Sequence, residues 1–282
     1  LHDRLGQDAA ALQLRSADQT QRPARRDWAF TYADPRVDVG KGGDAVAAVI
    51  AAGIIPAGME MMDRPAIAAV EPFVNAGYDM DAESILLVES DGTREEVDEE
   101  IAHIEAVLRE NGATRLEVSQ SDAERHRFWA GRKAAFPAVG RVSPDYYCMD
   151  GTIPRKRLGE VLKAIAAMEA KYGLRCANVF HAGDGNLHPL IMFDCNDPDS
   201  VLRAEQFGFE ILELSIAVGG TVTGEHGVGV EKIHQMCQQF DSATLESFFA
   251  VKRAFDPAGL LNPGKAIPTL TRCAEYGKMH VH

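Results

Sequence analysis

A tight turn in the second half of the chain constrains the fold more than any other stretch. Asp184-Gly185 lies between two apolar, β-prone runs, 177–182 and 187–193, and an Asp-Gly pair in that setting is a strong local signal for a β-hairpin. A loop of two or of four residues centred on this pair gives one register, in which His181 faces His188. Directly opposed residues share a face, with Cβ atoms about 4.5–5.5 Å apart. The hairpin therefore predicts two neighbouring imidazoles.

A second stretch turns this pair into a candidate metal site. Two histidines alone are equally consistent with a structural pair, but Glu225 and His226, flanked by glycines, add a carboxylate and a third imidazole. Two histidines and a carboxylate with an open position form a ligand set for a catalytic divalent cation. The predicted ligands are His181, His188 and Glu225, with zinc first and manganese or ferrous iron as alternatives. The other interpretation of Glu225 is a carboxylate hydrogen-bonded to glycine amides.

His226 is the candidate general base. The ordinary pKa of histidine lies near neutral pH, which suits a proton acceptor. The simpler interpretation is a structural histidine in a glycine-rich bend.

Charge, hydropathy and cysteine usage exclude several classes of protein. The formal net charge of −13 argues against a nucleic-acid partner, which would need a basic surface. No run of about 18 apolar residues and no signal-peptide pattern is present, so direct membrane insertion is not expected. The five cysteines are scattered without a C-x-x-C pair, which indicates neither a disulfide framework nor a zinc knuckle and favours the cytoplasm.

The chain divides into segments of different texture. Residues 1–42 are rich in Arg, Asp and Gln and show little periodicity, so a disordered or loosely attached segment is expected. Residues 43–255 alternate helix and strand signals, and residues 256–282, punctuated by proline and glycine, should form an extended arm. Helices are predicted for 44–52, 63–76, 95–111, 121–136, 155–172, 197–218 and 241–255, and strands for 84–90, 114–118, 146–150 and 221–223 besides the hairpin. This order predicts an α+β fold, with an antiparallel sheet covered by helices on one face.

Three stretches, in this order, resemble a known family. They are 181–189 (His-Ala-Gly-Asp-Gly-Asn-Leu-His-Pro), 224–229 (Gly-Glu-His-Gly-Val-Gly) and 252–265, which ends in Asn-Pro-Gly-Lys. They are similar to the C-terminal half of the FAD-linked 2-hydroxy-acid dehydrogenases and oxidases. That family includes D-lactate and D-2-hydroxyglutarate dehydrogenases, and the resemblance is greatest to the flavin-bearing subunits of bacterial glycolate oxidases. It extends from about Gly43 to the last residue.

The order of helices and strands is compatible with a ferredoxin-like cap domain, and two ferredoxin-like units are possible although no internal repeat is visible in the sequence. The resemblance implies FAD as cofactor and a small D-2-hydroxy acid, glycolate or D-lactate, as substrate. It implies that Arg132, in Phe-Trp-Ala-Gly-Arg, holds the substrate carboxylate, which a guanidinium can bind through two parallel hydrogen bonds. It also implies that Asn186 contacts substrate and that Asn262 and Lys265, on the arm, meet the flavin. His226 would accept the hydroxyl proton as hydride leaves for the flavin. A solvent-facing arginine and ordinary turn chemistry are the alternatives for these residues.

The resemblance also implies partners and a missing domain. The partners are the other subunits of a glycolate oxidase-like complex, among them an iron–sulfur subunit, through which a cytoplasmic chain could sit at the periphery of the inner membrane. In the family a FAD-binding domain precedes the matched region, and residues 1–42 do not resemble it. The chain alone is therefore expected to bind metal, hold FAD weakly and be inactive. A metal-dependent hydrolase, which would leave 262–265 without a role, and a non-catalytic subunit or scaffold are the alternative functions.

Overall fold

The computed structural model of the chain describes the backbone of residues 24–32 and all of residues 39–268. Its strands are β1 (Ala24–Tyr32), β2 (Gly58–Asp63), β3 (Ser84–Gly92), β4 (Arg115–Val118), β5 (Asp145–Cys148), β6 (Gly151–Thr152), β7 (Cys176–Phe180), β8 (Asn186–Leu187) and β9 (Pro189–Phe193). Its α-helices are α1 (Gly40–Ala51), α2 (Arg64–Val74), α3 (Arg94–Glu110), α4 (Asp122–Val142), α5 (Leu158–Tyr172), α6 (Pro198–Ala217), α7 (Ile233–Gln239) and α8 (Ser242–Phe255). The rest of the predicted N-terminal segment and arm residues 269–282 lie outside the described residues.

Seven strands form one antiparallel sheet in the order β4-β1-β3-β2-β7-β9-β5. The elements β1, α1, β2, β3, α3 and β4 make a ferredoxin-like unit with sheet order 4-1-3-2, into which α2 is inserted between β2 and β3. The elements β5, α5, β7, β9 and α6 repeat this arrangement, and a short antiparallel pairing between β2 and β7 joins the two units. The predicted α+β class and ferredoxin-like character are confirmed, and the fold contains two such units.

Helices cover both faces of the sheet, so the expectation of helices on one face is wrong. One core contains Leu86 and Val88 with apolar residues of α1, α3, α5 and α6. The other contains Ile85 and Leu87 with residues of α2 and α4. Successive strand residues point to opposite faces, and a continuous apolar run such as 85–88 is typical of a strand buried on both sides.

The first helices of the two units cross at a pair of glycines. A Cβ atom on Gly43 of α1 would lie 2.5 Å from the backbone nitrogen of Gly159 of α5. Such a contact is closer than real Cβ atoms make, so the two backbones can approach this closely only because both positions lack a side chain.

The hairpin predicted around Asp184-Gly185 is present, but its register is shifted by two residues. His181 bridges Asn186 rather than His188, because the four-residue loop begins directly after His181, whose carbonyl accepts hydrogen bonds from the amides of Asp184 and Gly185 at 3.3 and 3.1 Å. A shift of two preserves the face on which each side chain points. His188 therefore becomes a diagonal neighbour of His181, and their rings meet edge to face with centroids 5.0 Å apart.

Several element boundaries differ from the predictions. Strand β1 pairs with β3 and β4, so the expectation of a disordered or loosely attached segment is wrong for residues 24–32. Helix α1 starts at Gly40, so the boundary expected at residue 43 falls inside a helix. Helix α4 continues through Pro137, although the prediction ended at the residue before this proline. Strand β2 and helix α7 were not predicted.

No helix in the described part of the chain is long and apolar enough to span a bilayer. Cys148, Cys176 and Cys195 are free thiols, whereas Cys237 is disulfide-bonded, which the scattered cysteine pattern did not predict.

Candidate metal centre and active site

The three predicted metal ligands converge at the end of the sheet where the two units meet. Oε1 of Glu225 lies 3.4 Å from Nε2 of His181 and 3.2 Å from Nε2 of His188. One donor atom from each residue fits within 4.8 Å of the others. The hairpin supplies both imidazoles, and a loop more than thirty residues further along the chain supplies the carboxylate.

The surroundings of His188 fit a cation. The residue is 2% exposed, and both of its ring nitrogens are buried without a hydrogen-bond partner among the described residues. Buried polar atoms without a partner cost free energy comparable to a lost hydrogen bond. A divalent ion bound at Nε2 would satisfy one of them, and the set of two imidazoles and one carboxylate is suited to zinc, manganese or ferrous iron.

Glu60 of β2 connects the metal-ligand candidates to Arg132. Its Oε1 lies 2.8 Å from Nδ1 of His181, and its Oε2 accepts a hydrogen bond of 2.9 Å from Nε of Arg132. The hydrogen bond to Glu60 is the main cause that raises the pKa of His181, while burial opposes it. Arg132 lies on α4 and is only 8% exposed, so it does not belong to a solvated helix face.

The loop that carries Glu225 is held by a buried carboxylate, that of Asp150. The side chain of Asp150 is fully buried and accepts hydrogen bonds from the backbone amides of Gly224, Glu225 and His226, at 2.9 to 3.2 Å, and from the hydroxyl of Thr223 at 2.7 Å. Successive amides converging on one anion fix a loop as a unit. Asp150 therefore determines where the loop presents its carboxylate and its imidazole.

Lys232 balances this buried charge. Its Nζ donates to the carbonyl of Asp150 at 2.6 Å and lies 3.2 Å from the carboxylate, and the lysine itself is 3% exposed. Burial would raise the pKa of Asp150, but the neighbouring His188 imidazole and the hydrogen bonds from Thr223 and the loop amides outweigh it, and the pKa is held far below its ordinary value. Burial lowers the pKa of Lys232, and the attraction of Asp150 only partly offsets this.

Asp150 offers a second combination of ligands with His188 and His226. Its oxygens, however, already accept the loop amides and a hydroxyl proton. Glu225 lacks such an anchoring role and lies within 3.4 Å of two imidazole nitrogens. The set of His181, His188 and Glu225 is therefore the better cation site.

His226 stacks on His188 beside this set. The two rings are nearly parallel, with centroids 4.8 Å apart, and the side chain of His226 is 45% exposed. His226 lines a cavity of about 280 Å³ together with Cys148, Lys232 and Lys265. A side chain that is fixed on one side and open on the other can exchange protons with a ligand in that cavity.

The arm predicted to follow residue 255 folds back onto the same loop. The amide of Ala266 donates to the carbonyl of Gly229 at 2.8 Å, which brings Lys265 to the cavity beside His226. Asn262 has a left-handed backbone, with φ of 46°, and its Oδ1 lies 3.5 Å from Nζ of Lys265. Of the two residues predicted to meet a flavin, Lys265 thus lines the same cavity as the candidate base, and Asn262 lies next to Lys265.

Asn186 is buried rather than open to a ligand. It is 6% exposed, and its amide packs so tightly against Gly224 that any Cβ there would collide with it. Its Oδ1 is buried without a hydrogen-bond partner among the described residues. The position fits a support beneath the loop at least as well as the predicted contact with substrate.

Glu60, Asp150 and Lys232 are the site residues that the sequence did not reveal. One feature of the sequence could have indicated Glu60, because it is a charged residue inside the apolar, methionine-rich run 59–62. No sequence pattern indicated Asp150 or Lys232. Asp150 contacts loop residues more than 70 positions further along the chain, and Lys232 contacts Asp150 itself.

Residues 36–266 match the family described as FAD linked oxidases, C-terminal domain. The chain belongs to this family. The match contains all of the predicted metal, base and flavin-contact positions.

Among the curated relatives, the glycolate oxidase subunit GlcD of Escherichia coli K12 is 61% identical over 244 residues, which are 86% of this chain and 49% of the relative. The subunit of the same name from Bacillus subtilis is 37% identical, over 78% of this chain and 47% of its own length. A probable mitochondrial D-lactate dehydrogenase of Danio rerio is 30% identical, over 79% and 45%. The chain thus spans about half the length of the curated relatives that it matches.

Solved structures share the fold at low sequence identity. A p-cresol methylhydroxylase with bound substrate has a TM-score of 0.63 at 17% identity, covering 88% of this chain and 54% of that one. A 4-ethylphenol oxidase from Gulosibacter chungangensis has a TM-score of 0.61 at 17% identity, covering 89% and 55%. These similarities show that the overall fold is shared.

Proposed function

We propose that the chain is the substrate-binding half of a flavin-dependent oxidoreductase that converts a small D-2-hydroxy acid to the 2-oxo acid. The observation that carries the proposal is the convergence of His181, His188 and Glu225 within one ion's reach, with Arg132 linked to them through Glu60. The names of the relatives, glycolate oxidase subunit and D-lactate dehydrogenase, favour glycolate or D-lactate as the substrate.

Three residues would hold a divalent cation, with zinc proposed first and manganese or ferrous iron as alternatives. When bound to His181, His188 and Glu225, the cation would supply Lewis acidity that makes the 2-hydroxyl of the substrate easier to deprotonate. Glu60 keeps His181 oriented from behind, and Asp150 keeps the loop with Glu225 in place.

Arg132 and His226 would perform the remaining tasks at the substrate. Arg132 binds the carboxylate through the nitrogens that Glu60 leaves unused, since a guanidinium grips a carboxylate with two parallel hydrogen bonds. His226 accepts the proton of the 2-hydroxyl while the hydrogen on C2 leaves as hydride, so that the alcohol carbon becomes a carbonyl. Asn186 supports the loop that carries His226 and stays a candidate for substrate contact.

FAD supplies the two-electron acceptor when it is bound. Asn262 and Lys265 are proposed to approach it, because the arm brings Lys265 to the cavity lined by His226. The family's description, FAD linked oxidases, supports FAD as the cofactor, and this chain spans about half of the relatives' length. The chain alone is therefore proposed to bind metal, to hold FAD weakly and to be inactive. Stoichiometric yellow flavin in the purified chain would contradict this.

The complete protein is proposed to work in the cytoplasm with other subunits. The relatives' names call them subunits, and an iron–sulfur subunit is a partner that could accept single electrons from the flavin and tether the assembly to the inner membrane. Co-purification of the complete protein with a partner that carries iron and acid-labile sulfide is the expected result.

The test combines metal content with electron transfer. The purified chain should bind about one zinc per molecule, and H181A, H188A and E225A should each abolish stoichiometric binding, whereas E231A, a loop glutamate outside the ligand set, should not. In the complete flavoprotein, H226Q should keep its metal and lose about 100- to 10,000-fold in kcat for glycolate with a dye as acceptor. Full metal binding by E225A would overturn the ligand set. Hydrolytic activity without dye reduction would favour a metal hydrolase instead.

A further inference from the structure

One carboxylate lies between the metal-ligand candidates and the arginine, and the proposed function gives it no direct part in the chemistry. Glu60 is 14% exposed at its side chain. Its two oxygens are divided between two partners, Nδ1 of His181 at 2.8 Å and Nε of Arg132 at 2.9 Å. The three side chains come from β2, the hairpin and α4.

We propose that Glu60 is a positioning residue that aligns both ends of the site. It fixes His181 with Nε2 towards the cation, and it fixes Arg132 with its outer edge towards the substrate carboxylate. This inference rests on the proposed function and adds to it the residue that couples cation binding to recognition of the acid.

The histidine end follows from the chemistry of an ionised carboxylate, which only accepts hydrogen bonds. Nδ1 of His181 must therefore carry the hydrogen, and Nε2, which faces Glu225 at 3.4 Å, is left with the lone pair that a metal needs. Carboxylates behind ligating histidines fix the tautomer and ring orientation in this way, and their loss costs about 10- to 100-fold in metal affinity.

The arginine end follows from which nitrogens remain. Glu60 takes Nε of Arg132, and Nη2 is buried without a hydrogen-bond partner among the described residues. A buried guanidinium nitrogen without an acceptor is costly, and an anionic ligand would supply one. Because the guanidinium is planar, holding Nε fixes the direction in which that nitrogen can donate.

A carboxylate is needed here rather than an amide. A glutamine could turn its NH₂ group towards Nδ1 of His181 and so favour the tautomer with hydrogen on Nε2, which cannot bind a metal. It would also leave a guanidinium and a dication close together without the anion between them.

Glu60→Gln tests the histidine end, and the chain offers a matched control. Glu89 lies on the neighbouring strand with its side chain 17% exposed and pairs at 4.0 Å with Arg125 of α4, so E89Q removes the same charge from the same face without touching a histidine. Zinc affinity, measured by competition with a chelating dye, should fall about 10- to 100-fold in E60Q and stay within about twofold of wild type in E89Q. If wild type binds zinc and E60Q binds it with equal affinity, the proposed role of Glu60 is refuted while the proposed metal site stands. No zinc binding by wild type would overturn the proposed metal site and this inference with it.

A measurement on the wild-type chain covers the case in which E60Q fails to fold. In the zinc-loaded chain, nitrogen NMR of the imidazoles should show Nδ1 of His181 protonated and Nε2 bound to zinc. Zinc on Nδ1 would refute the role of Glu60.

Oxalate, a small dicarboxylate probe, tests the arginine end. At saturating zinc, E60Q should bind oxalate about tenfold more weakly than wild type, and E89Q should bind it equally well. Equal oxalate affinity in E60Q and wild type would refute the arginine half of the proposal.

Discussion

The two ferredoxin-like units begin alike and end differently. In the first, the chain leaves its second helix, α3, and returns to the sheet as β4 at the outer edge. In the second, the chain leaves the corresponding helix, α6, and makes an isolated bridge between Thr221 and Thr152. It then forms the loop with Glu225 and His226, and β5 stays at the sheet edge among the described strands.

The strand that ends the first unit completes its sheet, whereas the loop that ends the second unit carries candidate site residues. Strand β4 is held by the ladder hydrogen bonds of a sheet, which satisfy the backbone but project side chains only at fixed, alternating positions. The loop is held instead by Asp150, which takes up its amides with one side chain. This leaves neighbouring residues such as Glu225 and His226 able to point to one place.

The largest effect is expected from removing the anchor of the loop. Asp150→Ala leaves Lys232 buried without its counter-ion, which should lower the free energy of unfolding by about 3–5 kcal/mol and weaken zinc binding by about 10- to 100-fold as Glu225 loses its position. Urea unfolding and zinc titration measure the two effects.

The control lies in the strand that closes the first unit. Glu117→Ala in β4 removes a carboxylate paired with Arg115 at the surface and should cost less than about 1 kcal/mol without changing zinc binding. If both variants lost stability equally, or D150A kept wild-type zinc affinity, the contrast between loop and strand would fail.

The next largest effect is expected from the buried carboxyl of Asp63, which lies where the two units join. Asp63 caps α2 through the amide of Ala66 at 3.0 Å and accepts a hydrogen bond of 2.6 Å from Asn178 of β7. Burial raises its pKa from 3.8 to about 7 despite these bonds. The folded state therefore binds the proton on Asp63 more tightly than the unfolded state does. The stabilisation that Asp63 contributes is fully present below about pH 4 and is lost as the pH rises through about 7.

Asp63→Asn, which keeps a good helix cap, should remove this decline. The difference between the unfolding free energies of wild type and variant should change by roughly 4 kcal/mol from pH 4 to pH 8, as measured by urea titrations at several pH values. Parallel pH curves would show that Asp63 titrates normally.

A smaller effect is expected at the crossing of the two first helices. Gly43→Ala places a methyl group against the backbone of Gly159 and should destabilise the chain by about 1–3 kcal/mol. Gly140→Ala in α4 is the matched change, because its Cβ would meet only a Tyr146 ring carbon at 3.7 Å. That variant should be neutral or up to about 1 kcal/mol more stable. Thermal unfolding of both variants measures the two effects. A neutral G43A would show that the two helices do not pack tightly at these glycines.

The smallest effect is expected at the bridge that precedes the loop. Thr221→Val removes the contact of 2.6 Å between its hydroxyl and that of Thr152, which should cost about 1 kcal/mol or less and change zinc affinity less than about threefold. Ser247→Ala, which removes an exposed hydroxyl on α8, should be near neutral by the same unfolding assay. A loss in T221V as large as in D150A would mean that the bridge, not the carboxylate, holds the loop.

Local signals predicted the helices well because caps act within a turn. Asp63, Ser121, Asp197 and Asp241 each accept a hydrogen bond from an amide of the helix that they were expected to open. Strand β2 escaped prediction because its methionine-rich sequence lacks β-branched residues. The two-sided sheet followed from the duplication of units, which no short stretch of sequence encodes.

In the candidate site, too, local motifs predicted some residues, whereas the roles of others depend on contacts between distant parts of the chain. His181, His188, Glu225 and His226 share two short motifs, and the structure brings all four together. The contributions of Glu60 and Asp150 depend on contacts between residues 72 to 121 positions apart for the first and 73 to 76 for the second. Only the folded chain could supply these contacts, and the roles of the site residues stay predictions that the experiments above address.

The two-residue shift in the hairpin also indicates which changes in turn length evolution can accept. Because side chains alternate along a strand, adding or deleting two residues in the turn would return His188 to the same side of the ribbon, whereas a single insertion would send it into the opposite layer of packed helices. Turn lengths in descendants that keep the chelate should therefore differ by even numbers.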